Sequence, residues 1–307
     1  MAHHRIVPVP DGLVGERIDN ALSKLMGFSR TFAAEIVAGG GVEIGGVVGS
    51  KSDRLAADTM MSITWEDKRE PTVVAAHIPE MSIVYDDEHI VIVDKPPFLA
   101  AHPSLGWEGD TVVGALAGAG YRISTSGAPE RQGIVHRLDV GTSGLMIVAK
   151  SEIAYSVMKD KFRNREVSKE YHALVQGHPD PLSGTIDAPL GRHPGSAWKF
   201  AVVTDGRHAV THYETIEAYA AATLLSIDLE TGRTHQIRVH MASTRHPLVG
   251  DTHYGADPKL AARLGLTRQW LHAVRLVFEH PVTGEIMDVS APYPQDLQNA
   301  LDILDAS

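Results

Sequence analysis

Hydrophobic positions in the first forty residues recur at a helical period. Ile18, Leu22 and Leu25 fall on one face of residues 16–26, and Gly27 supplies a stop. A second helix is predicted from Ser29, a good N-cap, with Phe32, Ala33, Ile36 and Val37 turned inward and three glycines at 39–41 ending it. The period then drops to two. Val42 and Ile44, then Val47 and Val48, flank the pair Gly45-Gly46, which reads as a tight hairpin whose turn needs positive φ. Two short helices and a small sheet form one module, placed at residues 14–67. The charged run Glu66-Asp67-Lys68-Arg69-Glu70, closed by Pro71, reads as a linker, and the boundary is set at residues 68–80.

From residue 81 to 307 the chain alternates short β-like runs with longer, less regular segments. Residues 90–93, 145–149 and 171–175 are strand-like, and Leu225, Ile227 and Leu229 alternate with polar neighbours. Strands and helices in no strict order predict an α+β domain rather than a doubly wound one. No internal repeat is visible. The glycine-rich run at 114–120 lacks the glycine–lysine–hydroxyl signature of a phosphate loop.

Composition narrows the chemistry. The 307 residues are 43% hydrophobic and 21% charged, enough for two packed domains. No apolar run approaches the ~20 residues of a bilayer-spanning helix, and the first residues lack the pattern of a secretory signal. A cytoplasmic location without membrane association is the expectation. The absence of cysteine removes disulfides, thiol nucleophiles, thiolate zinc sites and iron–sulfur clusters. The net charge of −10 taken alone argues mildly against a nucleic-acid partner, although a local basic surface overrides such a total.

Three segments carry reactive groups. The first, residues 136–144, is a polar, glycine-rich loop ahead of an apolar strand and holds His136, Arg137, Asp139 and Thr142. An isolated Arg-x-Asp is more often a turn cap with a paired arginine. The second, residues 231–240, holds Arg233, His235 and His240. A spacing of five fits neither a zincin helix nor a cysteine-completed zinc cluster, so no metal is expected. The third, residues 159–165, is rich in lysine and arginine, including Lys161 and Arg163, and reads equally well as a solvated helix face or a phosphate-contacting one. Lys169 and Tyr171 follow, the tyrosine offering a ring able to stack on a base.

Taken in order, five segments resemble the successive motifs of the RluA-type RNA pseudouridine synthases. They are Asp94-Lys95-Pro96 with His102-Pro103, His136-Arg137-Leu138-Asp139 with Thr142-Ser143-Gly144, and Ser168-Lys169-x-Tyr171. The series continues with the stretch from Thr231 through Gly232-Arg233-Thr234-His235-Gln236-Ile237 to Arg238, and Leu271-His272-Ala273 with His280-Pro281. The likeness spans about residues 81 to 295. The first module, with Arg17, Lys24, Ser29-Arg30 and its hairpin, resembles an S4 RNA-binding domain, an arrangement of the RluD branch that acts on large-subunit ribosomal RNA.

The resemblance implies a mixed, largely antiparallel sheet with flanking helices and a central cleft. It also implies Asp139 as the catalytic aspartate, Arg233 as its ion-pair partner and Tyr171 as the ring against the target base. Arg137, His136, Thr142, Lys169, Lys161 and Arg163, with Arg17 and Arg30 of the first module, are the implied RNA contacts. Two departures stand out. Phe98 occupies a position that is usually glycine, and Gly45 replaces an asparagine common in the S4 hairpin.

Such a reaction cleaves N1–C1′, turns the uracil and rejoins it through C5 without net redox change, so no cofactor is expected. One ionised carboxylate suffices, adding to C1′ or removing the C2′ proton, and the residues leave both routes open. A cation beside it offsets the desolvation that would otherwise raise its pKa. The target base must leave its stack to be reached. The expected partner is RNA, ribosomal or transfer, and the chain is expected to act as a monomer. Two other readings compete: a non-catalytic RNA-binding factor on the same fold, and a metal-dependent hydrolase built on His235 and His240.

Overall fold

The helical spacings near the N-terminus become α1 (Ile18–Met26) and α2 (Arg30–Ala38). Gly27 ends α1 in the left-handed conformation, and the Ser29 hydroxyl caps α2 by accepting the Phe32 N–H at 3.2 Å. The computed structural model describes residues 2–66, 72–104, 106–196 and 198–306. The chain divides into two units, Met1–Glu70 and Pro71–Ser307.

In the first unit β1 (Ala2–Pro8), β2 (Val42–Ile44), β3 (Val47–Val48) and β4 (Met60–Glu66) form an antiparallel sheet in the order β1-β4-β2-β3. The predicted hairpin turn is present, with Gly45 at φ 58° and Gly46 at φ 84°. Ile18, Leu22, Ala33, Ile36 and Val37 of the helices pack on Val42, Met61 and Ile63. The module begins earlier than residue 14, because β1 pairs with β4 from Ala2 onward. Of its seven residues none is fully buried, so the strand shows no sharp apolar alternation.

Residues 67–71, most of the charged run assigned as linker, lie outside the described residues. The rest of the expected linker belongs to the second unit. The Ala76 N–H donates to the Gly114 carbonyl at 3.0 Å, and Ile78 packs against the core.

The second unit opens with β5 (Ser82–Asp86), β6 (Ile90–Lys95), α3 (Val112–Gly118), β7 (Ser143–Ala149), α4 (Glu152–Asn164) and β8 (Ser168–Gln176). It continues with β9 (Ser183–Asp187), β10 (Leu190–Arg192), β11 (Phe200–Val202), β12 (Val210–Ala218), β13 (Ala222–Leu229) and α5 (Gln236–Ser243). It closes with α6 (Pro258–Arg263), β14 (Leu271–Glu279), β15 (Ile286–Ser290) and α7 (Gln295–Asp305).

One nine-stranded sheet runs β5-β6-β7-β14-β8-β13-β12-β9, with β15 also on β14. All of its pairings are antiparallel except β7 with β14. The α+β expectation and the largely antiparallel sheet are both met. Strands β6 and β7 are apolar along most of their length because both faces are covered. Val91, Val93, Met146 and Val148 meet α3 and α5 on one side, while Ile90, Ile92, Leu145 and Ile147 meet α4 on the other. A third cluster packs Leu174, Leu224 and Trp270 against α7. No helix among the described residues is long and apolar enough to cross a membrane.

Candidate active site

Sheet register brings three segments together. In β14, Ala273 pairs with Gly144 at the start of β7 and with Tyr171 in β8, and Tyr171 pairs in turn with Ile227 of β13. The loop 136–142 that feeds β7 and the loop 230–235 that leaves β13 therefore meet over Tyr171. Close approach sets this corner: Gly144 sits at φ 112°, and a Cβ there would lie 2.3 Å from the Ala273 carbonyl oxygen. Strand alternation puts Lys169 and Tyr171 on one face of β8.

The loop that carries Asp139 is gripped at successive residues. The Asp139 carbonyl accepts the Thr142 N–H at 3.0 Å, and the Val140 carbonyl accepts the Phe98 N–H at 2.7 Å. The fully buried Lys95 donates to the carbonyls of Leu99 (2.8 Å), Pro96 (2.9 Å) and Val140 (3.3 Å). Burial brings the Lys95 ammonium down to about 7, opposed by the charge of Asp139. Arg268, paired with Asp296, donates to the Gly141 carbonyl at 3.0 Å.

Asp139 faces Arg238. The Arg238 guanidinium makes a two-pronged pair with buried Asp251, Nε to Oδ2 at 2.6 Å and Nη2 to Oδ1 at 2.9 Å. Its remaining Nη1 lies 3.5 Å from Asp139 Oδ2. Burial opposes the arginine's charge, but the Asp251 hydrogen bonds and the charges of Asp251 and Asp139 outweigh it and raise the pKa. A permanent cation thus stands beside the carboxylate, itself fixed from behind.

This corrects the expected partner. Arg233 lines the same cavity, yet its Nε donates to the His208 carbonyl at 3.1 Å, and among the described residues it makes no ion pair with Asp139. The reason is the start of α5. Gln236 stitches its loop to β12, accepting the Arg233 N–H (3.0 Å) and Thr231 hydroxyl (2.8 Å) while donating to the Val210 carbonyl (2.9 Å). The preceding loop is thereby locked, and the first turn of α5 delivers Arg238 to the carboxylate.

His235 also approaches Asp139, with Nε2 at 4.0 Å from Oδ2 and Nδ1 at 2.7 Å from the Tyr254 hydroxyl; burial lowers its pKa. His240 is remote in chemistry: it is buried, with Nδ1 against the Thr211 hydroxyl and Nε2 against the Ala188 carbonyl, both at 2.9 Å. Among the described residues no group of three histidine, aspartate or glutamate side chains is placed to hold a metal ion. Tyr171 is buried, and burial followed by the Asp139 charge pushes its phenol far up, so it presents a neutral ring.

Asp139 and Tyr171 border a cavity of about 420 Å³ together with Arg137, Arg165, Lys169 and Arg233. Arg163 lines it too. The local excess of cations reverses the sign of the whole chain's −10. Lys169 is mostly buried there, its pKa lowered by burial and by Arg165.

Three further expected RNA contacts are already engaged within the protein. His136 accepts the Ile147 N–H at Nε2 (2.9 Å) and stacks on Phe162 at 4.5 Å; burial drives its pKa to about 3, so it is a neutral brace for the loop. Thr142 is buried and accepts the Gln269 amide at 3.3 Å, shaping the loop from within. Lys161 is spent on Glu279 at 2.6 Å and Glu166 at 3.7 Å. In the first unit Arg17 and Arg30 border a shared concave surface with Lys51, although Arg17 is held by Asp19 at 2.7 Å.

Arg238 and Asp251 are the functional groups that sequence reasoning missed. Arg238 lay within a quoted motif but carried no assigned role; the available signal was a second arginine in the same motif as Arg233. Asp251, a single acid after the apolar run 247–250, gave none.

Residues 89–243 match the family described as RNA pseudouridylate synthase. The chain is 59% identical over 301 residues to an uncharacterized RNA pseudouridine synthase of Mycobacterium bovis, covering 98% of each. It is 40% identical to ribosomal large subunit pseudouridine synthase D of Xanthomonas campestris, covering 96% of this chain and 91% of that one. The solved structure of human RNA pseudouridylate synthase domain containing 1 aligns with a TM-score of 0.57 at 27% identity, over 76% of this chain and 97% of its own. With the matched segment enclosing Asp139, Tyr171 and Arg238 and with relatives aligned along nearly its whole length, the chain belongs to the RNA pseudouridylate synthase family.

Proposed function

We propose that this protein isomerises uridine to pseudouridine in large-subunit ribosomal RNA, with Asp139 as its catalytic carboxylate. The observation that carries the reading is the Asp139–Arg238–Asp251 chain, whose Asp139 lines a small cavity with Arg238 and Tyr171 and also borders the larger cation-lined one. Arg238 favours the ionised form of Asp139 near the ribose, whether that carboxylate adds to C1′ or removes the C2′ proton. Tyr171 packs against the flipped uracil, and Arg137, Lys169 and the neighbouring arginines take the phosphates around it. Relatives named for the ribosomal large subunit at 40% identity favour that RNA over transfer RNA. The first unit, with Arg17 and Arg30 on one concave surface, serves as an S4-like RNA-binding module.

The test is tritium release from 5-labelled uridine in ribosomal RNA. Asp139→Ala is expected to abolish release while RNA binding persists. Arg238→Gln should lower turnover by about 10²-fold or more, since it removes the preorganised charge beside the carboxylate. Release undiminished in Asp139→Ala overturns the assignment, and no release by the wild-type protein from any RNA overturns the function.

A further inference from the structure

A second cavity, of about 370 Å³, shares Asp139, Arg238 and Asp251 with the site described above and is lined in addition by Phe98 and Trp198. Both aromatic side chains are more than half exposed, at 56% and 55%. Phe98 also sits at φ 64°, a left-handed conformation that a bulky side chain rarely adopts. Its backbone is not free to relax. The Phe98 N–H donates to the Val140 carbonyl at 2.7 Å, and Lys95 clamps the carbonyls of Pro96 and Leu99 on either side. The turn therefore holds the Phe98 ring out at the cleft rim, fastened to the residue that follows Asp139. Trp198 stands on the same cavity, edge-on to His253 at 5.1 Å and with the Lys199 ammonium 4.9 Å from its ring.

Exposed aromatic faces beside arginine and lysine match the chemistry of an unpaired nucleotide: a ring to stack on and a phosphate to neutralise. Burial in the core does not explain either ring, and neither belongs to the machinery around Tyr171. We infer that Phe98 and Trp198 form a stacking subsite for an unpaired base adjacent to the target uridine, holding the strand open while that uridine occupies the cavity over Tyr171. The inference rests on the RNA-modifying function proposed above. It gives Phe98, at a position where glycine satisfies the backbone better, a role in substrate selection.

The experiment uses the full-length protein and an RNA stem-loop carrying the modified uridine, intact or with an abasic residue on its 5′ or its 3′ side. Phe98→Gly relieves the left-handed strain, so its thermal midpoint should equal or exceed that of wild type, which separates function from folding. Phe98→Gly and Trp198→Ala are each expected to raise KM by about 10-fold with kcat nearly unchanged. At one flanking position the abasic RNA should cost wild type a similar factor and the variants little more, because ring and base report one interaction. Unchanged KM in both variants, or abasic penalties that multiply with the substitutions at both positions, overturns the inference while leaving tritium release, and hence the proposed function, intact. Absence of release from every RNA by wild type instead removes both.

Discussion

His136 shows how a residue with no charge to offer still serves the site. Its Nε2 accepts the Ile147 N–H, which requires an unprotonated ring nitrogen, and its stacking on Phe162 ties the Asp139 loop to α4. Burial holds the folded pKa at about 3, below the 6.5 of a free imidazole. Between these two values the unfolded chain binds a proton that the folded chain refuses, so stability falls as pH falls through this window, by at most about 1.4 kcal/mol per unit for this one group. Urea unfolding at pH 7, 5 and 4 should show a weaker pH dependence in His136→Gln than in wild type. The remaining slope includes His272, also lowered by burial, to about 4. Equal slopes would mean that His136 is not the linked proton. At this scale the site was partly legible. The polar, glycine-rich loop before an apolar strand stood out, but on that pattern alone Asp139 reads as a turn cap and only the family resemblance singles it out. Two arginines five positions apart, Arg233 and Arg238, are equivalent on paper. Only the loop locked by Gln236 decides which one reaches the carboxylate.

The basic run ending α4 illustrates the same limit for an element. A helix distributes neighbours around its axis, so a cluster dense in sequence need not be a cluster in space. Lys161 turns to Glu279 on β14, whereas Arg163 and Arg165 border the cleft, Arg165 by ending the helix in a left-handed cap at φ 65°. Lys161→Ala should therefore leave RNA affinity within about twofold, with a stability cost of at most about 1 kcal/mol for losing an exposed pair. Replacing Arg163, Arg165 and Lys169 together should weaken binding at 0.1 M salt by at least about 10-fold and flatten the salt dependence by roughly two phosphate contacts. A Lys161 variant that loses as much as the triple variant contradicts this division. Elements with a strong period were readable: α1, α2, β7 and β13 appear where their apolar spacing placed them. Strand β1 was not, because its mostly exposed residues carry no alternation, and residues 72–80 lacked a signal for packing on α3.

For the whole molecule, the charge of −10 must coexist with an RNA partner, and the structure does this by segregating its cations. One set lines the cavity of the second unit; another, Arg17, Arg30 and Arg54, borders a concave surface of about 440 Å³ in the first. Neither surface needs high affinity alone, since once one holds the RNA the other binds at an effective concentration set by their covalent link. The catalytic groups proposed above, Asp139, Arg238 and Tyr171, all lie in the second unit, so weakening the first should change capture and not turnover. In the full-length chain, replacing Arg17, Arg30 and Arg54 by alanine is expected to raise KM for ribosomal RNA by about 10-fold while kcat at saturating RNA stays within about twofold, and to reduce the salt slope by about two. Arg17 should contribute least, because its guanidinium is already committed to Asp19. A short stem-loop that carries only the target site and engages only the second unit should be processed equally by the variant and by wild type. If instead kcat falls in parallel with affinity on both substrates, the first unit takes part in the reaction step itself, and the separation of capture from chemistry fails.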